Sequence, residues 1–322
     1  MSAEPEFLVA DIGATRARFC RLAAGVLGEP VVLATGDYAA AGELIRAAQR
    51  RLSLSAVAGA CFAVAGPVVD DRISVTNGEL VFATGELEGS LGFPVRLVND
   101  FHALARAVPD LARLEQLGGD AGSSTGRTVR AVLGPGSGLG MSVLVPEGRA
   151  GWRVLASEGG HADLAPGNHL EQELLNVLLA EHRSVCWETV LSGSGLVRLY
   201  RAVATLWGMP SDDLTPEQIS ERGVHADDPI CHQTLEMFFG LLGAAAGNLA
   251  LTVCARGGVY IGGGIVPGLV EFARSSPLRR RFDERADLQS FIEPIPLYVI
   301  LDEFPGLKGA AACLDDPDPR SL

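Results

Sequence analysis

The chain alternates short apolar runs with segments in which apolar residues recur every three or four positions. The short runs, bounded by glycine, proline, asparagine or aspartate, predict strands, and the longer periodic segments predict helices. Strands are predicted at 7–10, 17–22, 58–64, 73–76, 95–98, 129–133, 139–145, 259–261 and 297–301. Helices are predicted at 41–52, 101–108, 170–181, 195–206, 231–255 and 305–314. This order of elements is typical of an α/β fold.

Two of the predicted hairpins have the same design, in which a strand, a glycine-containing turn with a hydroxyl residue and a second strand follow one another. The glycine and hydroxyl residues are Gly13 and Thr15 in the first turn and Gly136, Ser137 and Gly138 in the second. Between the two hairpins, residues 111–128 are polar and rich in glycine and serine, which favours a domain boundary there. The repetition suggests two related halves, although the similarity is too short to prove a duplication.

Composition and charge exclude several classes of protein. The 322 residues include 26 Lys and Arg against 39 Asp and Glu, a formal net charge of −13, so a strong electrostatic footprint on nucleic acid is not expected. The one dense basic run, Arg279 to Arg281, is interpreted as an exposed helix face. Apolar residues make up 48% of the chain and charged residues 20%, which excludes intrinsic disorder.

Cysteine spacing and the N-terminal residues indicate a cytoplasmic protein. The six cysteines are scattered and form no C-x-x-C pair, so reduced, mostly buried thiols are favoured over a disulfide framework or a zinc site. The first thirteen residues contain two glutamates and no basic residue, unlike a secretory signal.

One stretch, residues 237–255, carries no charge and is nominally long enough to cross a bilayer. Asn248, Thr252 and three glycines dilute its apolar character, and the rest of the chain is acidic. These features favour a buried helix of a soluble protein.

Three groups of residues could carry chemistry, and each has an ordinary structural alternative. The common phosphate-binding motifs are absent, but backbone N–H groups in the two hairpin turns could hold an anion. Asp100, which follows Asn99 at the end of a predicted strand, could be a general base or a helix N-cap. Glu158 and His161 lie within six residues of each other, and Glu188 would ordinarily be a surface or capping carboxylate.

Together these segments resemble the bacterial ATP-dependent glucokinase family, which belongs to the sugar kinase–actin–heat-shock chaperone superfamily. The resemblance covers nearly the whole chain, and no single block is decisive, but ten blocks in the right order are highly specific. The blocks are LVADIGATRAR, FAVAGPV, TNGELVF, LGFPVRLVNDFHALA, QLGG, LGPGSGLGMSVLV, EGGHADLAP, WETVLSGSGLVRLYRA, GGVYIGGGIVP and PGLKGAAA.

The resemblance implies a two-domain, actin-like (ribonuclease H-like) α/β fold with a cleft between the domains. The smaller domain would comprise 1–112, completed by a C-terminal helix at 301–322, and the larger domain 113–300. The implied reaction is the transfer of phosphate from ATP, with Mg²⁺, to the 6-hydroxyl of glucose, giving ADP and glucose 6-phosphate for glycolysis. A cytoplasmic homodimer that binds neither nucleic acid nor membrane is also implied.

The resemblance further implies residue roles. Asp100 would be the catalytic base, and Asp11 would bind Mg²⁺ through water. The implied glucose ligands are Asn99, Asp100, Glu158, His161 and Glu188. The implied nucleotide-binding residues are Asp11, Gly13, Ala14, Thr15, Gly136, Ser137, Gly138, Gly262, Gly263 and Gly264.

The chain departs from the family pattern at three positions. Ala14 and Arg16 stand in the first turn where the family has glycine and asparagine, and Leu80 stands where tryptophan is common. An alanine in the turn would be strained if its φ were positive and harmless if φ were negative.

Two other functions fit the same fold. A non-catalytic sugar sensor usually adds a helix-turn-helix module or a zinc-binding cysteine cluster, and neither is visible in the sequence. A kinase for another hexose, such as mannose or fructose, is weakly disfavoured by the EGGH segment.

Overall fold

The computed structural model describes residues 4–124, 126–148 and 151–316. The chain forms two compact units, one made of residues up to Ala112 together with those from Asp302 onward, and the other of Arg113–Leu301. The C-terminal helix predicted within 301–322 ends at Cys313. Residues 317–322 of that predicted segment lie outside the described residues.

The strands, numbered along the chain, include one at each of the nine predicted runs. They are β1 Glu6–Ile12, β2 Arg16–Ala23, β3 Val26–Leu27, β4 Val31–Ala34, β5 Gly59–Val64, β6 Val68–Val69, β7 Arg72–Ser74, β8 Val81–Ala83, β9 Val95–Asn99, β10 Leu114–Gln116, β11 Arg130–Pro135, β12 Leu139–Glu147, β13 Gly151–Ser157, β14 Val259–Ile261 and β15 Leu297–Ile300.

The helices include all six that periodicity predicts. They are α1 Ala41–Arg51, α2 Thr84–Leu91, α3 Asp100–Ala107, α4 His169–Glu181, α5 Trp187–Val190, α6 Gly193–Leu206, α7 Pro216–Val224, α8 Pro229–Val253, α9 Val270–Ser275, α10 Leu278–Asp283, α11 Gln289–Ile292 and α12 Pro305–Cys313. Short 3₁₀ turns occur at Thr35–Asp37, Val108–Asp110, Ala121–Ser124, Gly159–His161, Val266–Leu269 and Ala286–Leu288.

The first unit is built on a mixed sheet whose order is β3-β2-β1-β5-β9, with β4 paired to β2. β1 and β2 form the predicted antiparallel hairpin, while β1, β5 and β9 are parallel. Every residue of β5 is buried, because helices cover both faces of the sheet. Along β1, Leu8 and Ala10 face the core that contains α1, and Val9 faces the core that contains α3 and α12.

The second unit repeats this arrangement. Its sheet order is β10-β15-β14-β11-β12-β13, in which β11 and β12 form an antiparallel hairpin and β11, β14 and β15 are parallel. An antiparallel hairpin next to two parallel strands therefore occurs in both units, as two related halves predict.

The long apolar segment is α8, the central helix of the second unit. By length and composition it could cross a membrane, but 67% of its most apolar window is buried inside the protein. Gly243 lies against the carbonyl of Leu278 at the start of α10, which brings the two helices into close contact. The interpretation as a buried core helix is confirmed.

The interpretation of Arg279 to Arg281 as an exposed face is wrong for Arg281. Its guanidinium is buried and donates two hydrogen bonds to the Glu171 carboxylate, Nε to Oε1 at 3.0 Å and Nη2 to Oε2 at 2.8 Å. A forked pair of this kind satisfies both charges in the interior, and Arg281 Nη1 also donates to the Glu284 carboxylate at 2.8 Å.

The elements that the hydrophobic pattern does not reveal include β13 and α7. β13 is an edge strand whose residues are exposed or half-buried, so Trp152 and Val154 alternate with Arg153 without marking a buried face. It is held by backbone pairing to β12 instead. α7 begins with a Thr215 capping box and Pro216 at its first position, a start signal that the sequence does contain.

The C-terminal helix returns to the first unit and packs on α3. A Cβ atom on Gly309 would overlap the carbonyl oxygen of Ala103, so the two helix backbones touch. Cys313, at the end of α12, is buried against Cys61 of β5. A hydrogen bond from the Cys61 thiol and the nearby His102 lower the pKa of Cys313 to about 6, although burial opposes the shift.

Candidate active site

In the first unit, the candidate acidic residues lie at the carboxyl ends of parallel strands. Ile12 at the end of β1 is paired with Val64 of β5, and Val64 is paired with Asn99 at the end of β9. Asp11 and Asp100 therefore lie along one edge of the sheet, which is where ligands bind in open α/β sheets.

Asn99 is the N-cap of α3, and Asp100 follows it. The Asn99 Oδ1 atom accepts hydrogen bonds from the N–H groups of Phe101 at 2.9 Å and His102 at 3.1 Å. Its Nδ2 atom donates to the carbonyl of Gly66 at 2.9 Å, which uses one of the two amide protons. Asp100 is the first helical residue, and its Oδ1 atom also accepts a hydrogen bond from the Phe101 N–H at 3.0 Å.

Asp11 is held between an arginine and a glycine. Arg18, its register partner on β2, lies 3.5 Å away. A Cβ atom on Gly306 of α12 would lie 2.7 Å from the Asp11 carboxyl carbon. Burial raises the pKa of Asp11, and the Arg18 charge opposes this shift. A carboxylate oxygen is the donor type that Mg²⁺ prefers, and a cation there would offset the cost of burying the charge, so Asp11 fits a water-bridged Mg²⁺.

The first hairpin turn is fixed by Thr35, a residue that the sequence analysis did not single out. The Thr35 N–H donates to the Thr15 carbonyl at 3.2 Å, and its hydroxyl donates to the Ala14 carbonyl. Gly13 closes the turn through its N–H, which donates to the Arg16 carbonyl at 3.0 Å. No local sequence motif indicates this role of Thr35, because Thr35 lies twenty residues after Thr15 along the chain.

The departures from the family pattern do not strain the turn. Ala14 is not among the residues with positive φ, so the turn accommodates its methyl group without backbone strain. This agrees with the interpretation that an alanine at this position is harmless. The Arg16 side chain is exposed, and Arg18 is the arginine that pairs with the Asp11 carboxylate. Leu80, in place of the common tryptophan, is buried in the core of the first unit.

In the second unit, the two glycine-rich turns lie directly against each other. A Cβ atom on Gly134 would lie 2.5 Å from the carbonyl carbon of Gly262. Gly263, with φ of +83°, lies against the Pro135 carbonyl. The Gly136 carbonyl accepts a hydrogen bond from the N–H of Gly193, the first residue of α6, at 2.8 Å. The structure therefore brings together the candidate nucleotide-binding residues Gly136, Ser137, Gly138, Gly262, Gly263 and Gly264.

Glu188 connects this turn to the candidate sugar-binding residues. Its Oε2 atom accepts a hydrogen bond from the Leu139 N–H at 2.7 Å, and a Cβ atom on Gly138 would overlap the same oxygen. Its Oε1 atom is 3.9 Å from the His161 Nε2 atom. The Leu139 N–H is a backbone group, so the sequence carries no signal for this contact.

Glu158 and His161 are held by a short 3₁₀ turn. The His161 N–H donates to the Glu158 carbonyl at 2.9 Å, and a Cβ atom on Gly160 would overlap the Leu139 carbonyl oxygen. The Trp187 N–H donates to the Ala162 carbonyl at 3.0 Å, which joins this turn to the segment that carries Glu188. The three candidate sugar ligands of the second unit thus belong to two segments that are hydrogen-bonded to each other.

Comparison with known proteins shows the family of the chain. The family model described as Glucokinase matches residues 8–317. The glucokinase of Chromobacterium violaceum is 42% identical over 319 residues, covering 98% of this chain and 91% of that protein. The glucokinase of Neisseria meningitidis is 40% identical over 313 residues, covering 96% and 94%.

The solved structures include a close match to the whole chain. The crystal structure of glucokinase from an Antarctic psychrotroph has a TM-score of 0.83 and 33% identity, and the match covers 96% of this chain and 98% of that one. The predicted α/β, actin-like fold class is confirmed by this likeness. On the family model, the full-length relatives and this fold, the chain belongs to the glucokinase family.

Proposed function

We propose that this chain transfers the γ-phosphoryl group of ATP, as its Mg²⁺ complex, to the 6-hydroxyl of glucose, with Asp100 as the catalytic base. Membership of the glucokinase family makes the chain an ATP-dependent glucose kinase, whose product, glucose 6-phosphate, enters glycolysis. The roles of individual residues in this reaction are what we propose. The observation that carries them is the helix cap, because Asn99 takes the capping role at α3 and Asp100 stands beside it at the ligand-binding edge of the sheet.

Asp100 would accept the proton of the 6-hydroxyl as its oxygen attacks the γ-phosphorus. Its carboxylate lies at the first turn of α3, where the helix dipole places partial positive charge. Phosphoryl transfer depends mainly on the orientation of the two oxygens and on neutralisation of charge. The rigid end of β9, fixed by the Asn99 hydrogen bonds, would supply the orientation.

Glu158, His161, Glu188 and Asn99 would bind the remaining hydroxyls of glucose. A sugar hydroxyl both donates and accepts hydrogen bonds, and a carboxylate can accept from two hydroxyls. The Leu139 N–H holds Glu188 through Oε2, so that Oε1, near His161, is the oxygen directed to the sugar. The second amide proton of Asn99 is the one that would reach a hydroxyl.

The turns at 13–15, 136–138 and 262–264 would bind ATP through backbone N–H groups. A bound Mg²⁺ neutralises charge on the phosphates, and Asp11 would hold it through water. The contact with Gly306 sets the position of the Asp11 carboxylate. The exposed hydroxyl of Ser137 would donate to a phosphate oxygen.

We also infer a cytoplasmic homodimer. Four of the six cysteines are buried and all six are unpaired, as suits a reducing compartment. The homodimer is inferred from the resemblance to the glucokinase family.

The reaction is tested with a panel of hexoses that includes glucose, mannose and fructose, with Mg²⁺-ATP and a coupled assay for ADP. Glucose is expected to give the highest kcat/KM. Tight glucose binding without ADP release would support the sugar-sensor alternative, and a higher kcat/KM for mannose or fructose would reassign the substrate.

Asp100→Asn is expected to lower kcat by about 10²–10⁴, because the base is lost while the shape of the side chain is kept. Glucose affinity, measured by calorimetry, should change little. The control is Asp110→Asn, which removes an exposed carboxylate from the same unit and should leave kcat unchanged. A variant at position 100 with near-normal kcat would show that Asp100 is only structural.

Glu188→Gln is expected to raise KM for glucose roughly 5- to 150-fold, since losing a charged acceptor costs about 1–3 kcal/mol. KM for ATP should barely move. The matched control is Glu181→Gln, an exposed carboxylate at the end of α4. Equal losses for both substrates would argue against a sugar-binding role and for a disturbed fold.

Gly306→Ala tests whether Asp11 acts on Mg²⁺. The new methyl group would displace the Asp11 carboxylate, so we expect the half-saturating Mg²⁺ concentration to rise several-fold while KM for glucose is unchanged. The control is Gly89→Ala, at a glycine of the same unit with open space around it. An unaltered Mg²⁺ dependence in a folded variant would contradict the role given to Asp11.

A further inference from the structure

We propose that His102, Cys313 and Asp316 form a Zn²⁺-binding site in the first unit. One ligand atom from each residue, an imidazole nitrogen, the thiol sulfur and a carboxylate oxygen, lies within 4.8 Å of the other two. This site has no role in the proposed reaction and does not depend on it.

The three residues are brought together by the packing of the last helix. His102 lies in the first turn of α3, Cys313 is the last residue of α12, and Asp316 follows it by three residues. The backbone contact between Gly309 and Ala103 sets how close the two helices lie. Because this contact is backbone to backbone, the position of Cys313 beside α3 is set independently of any ligand.

Asp316 is held in place by its surroundings. Its N–H donates to the Cys313 carbonyl at 3.3 Å, and Arg106 Nε donates to its Oδ1 atom at 2.9 Å. Arg96 donates to the carbonyls of both Cys313 and Asp316 at 2.7 Å. Hydrogen bonds to ligating carboxylates are the outer contacts that orient the ligands of known metal sites.

The donor set favours zinc over the harder cations. Nitrogen, sulfur and carboxylate oxygen together are typical of Zn²⁺, and three protein ligands leave a fourth position for water. Mg²⁺ and Ca²⁺ take oxygen ligands and do not select a thiolate. Zinc–ligand distances of about 2.0–2.3 Å require the three atoms to move closer by about 1 Å. His102 is only partly buried, which leaves its ring room to turn.

The neighbours of the three residues affect zinc binding in opposite ways, because one supports the cysteine sulfur as a ligand and two add positive charge. The Cys61 thiol hydrogen-bonds to the Cys313 sulfur, as expected for a contact that supports a metal thiolate. The guanidinium groups of Arg96 and Arg106 oppose a bound cation. We therefore expect an affinity weaker than that of structural zinc sites with four protein ligands.

Bound zinc would tie the end of the chain to α3, the helix that begins with Asp100. A ligand that binds only the folded protein raises the free energy of unfolding. The increase grows with the logarithm of the free ligand concentration once that concentration exceeds the dissociation constant. Zinc is therefore expected to raise the melting temperature of the full chain.

The test uses the full chain, stripped with a chelator, kept reduced with a phosphine and titrated with Zn²⁺ and separately with Co²⁺. We expect one Zn²⁺ per chain by equilibrium dialysis and elemental analysis, a higher melting temperature, and a near-ultraviolet thiolate-to-cobalt band with Co²⁺. Cys313→Ser should abolish the band, and Asp316→Asn and His102→Gln should each weaken zinc binding at least tenfold.

The matched control is Cys254→Ser, which removes an exposed thiol in the second unit and should leave the zinc stoichiometry and the band unchanged. Asp316 lies beyond the end of α12, so Asp316→Asn gives a result even where Cys313→Ser fails to fold. Absence of stoichiometric zinc, a band that disappears with Cys254→Ser, or unaltered binding by Asp316→Asn would overturn the proposal.

Discussion

In each unit an acidic side chain lies directly against a glycine, where no Cβ atom could be accommodated. Gly306 of the last helix touches the Asp11 carboxylate, and Gly138 of the second hairpin turn touches Glu188. An alanine at either position would push the carboxylate away, because atoms of that acidic side chain are the nearest neighbours of the added Cβ. The positions of these two carboxylates therefore depend on the absence of a single methyl group, and so does the chemistry assigned to them.

Two adjacent polar residues hold the start of α3. Asn99 accepts hydrogen bonds from the first N–H groups of the helix and ties the end of β9 to Gly66. Asp100 accepts one hydrogen bond at the same place, from the Phe101 N–H to its Oδ1 atom. Its carboxylate therefore lies in the partial positive charge of the helix terminus, in a position that the backbone of α3 fixes.

The last helix has more influence on the first unit than its nine residues suggest. It covers one face of the central sheet, contacts Asp11 through Gly306 and contacts α3 through Gly309. The same packing brings Cys313 to His102. A change in this helix would thus act directly on Asp11, and through Ala103 on α3, the helix that begins with Asp100.

The hydrophobic pattern was enough to predict the main strands and helices, because burial on one face imposes a period of two or 3.6 on the apolar residues. The motifs and their order were enough to identify the family, despite changes such as Ala14 and Leu80. Folding was needed to show that Arg281 is buried with Glu171, 110 positions away, and that Thr35 closes the first turn. It was also needed to show that His102, Cys313 and Asp316 lie together. These contacts join segments that are distant along the chain, and no local periodicity or spacing records which distant segments will meet.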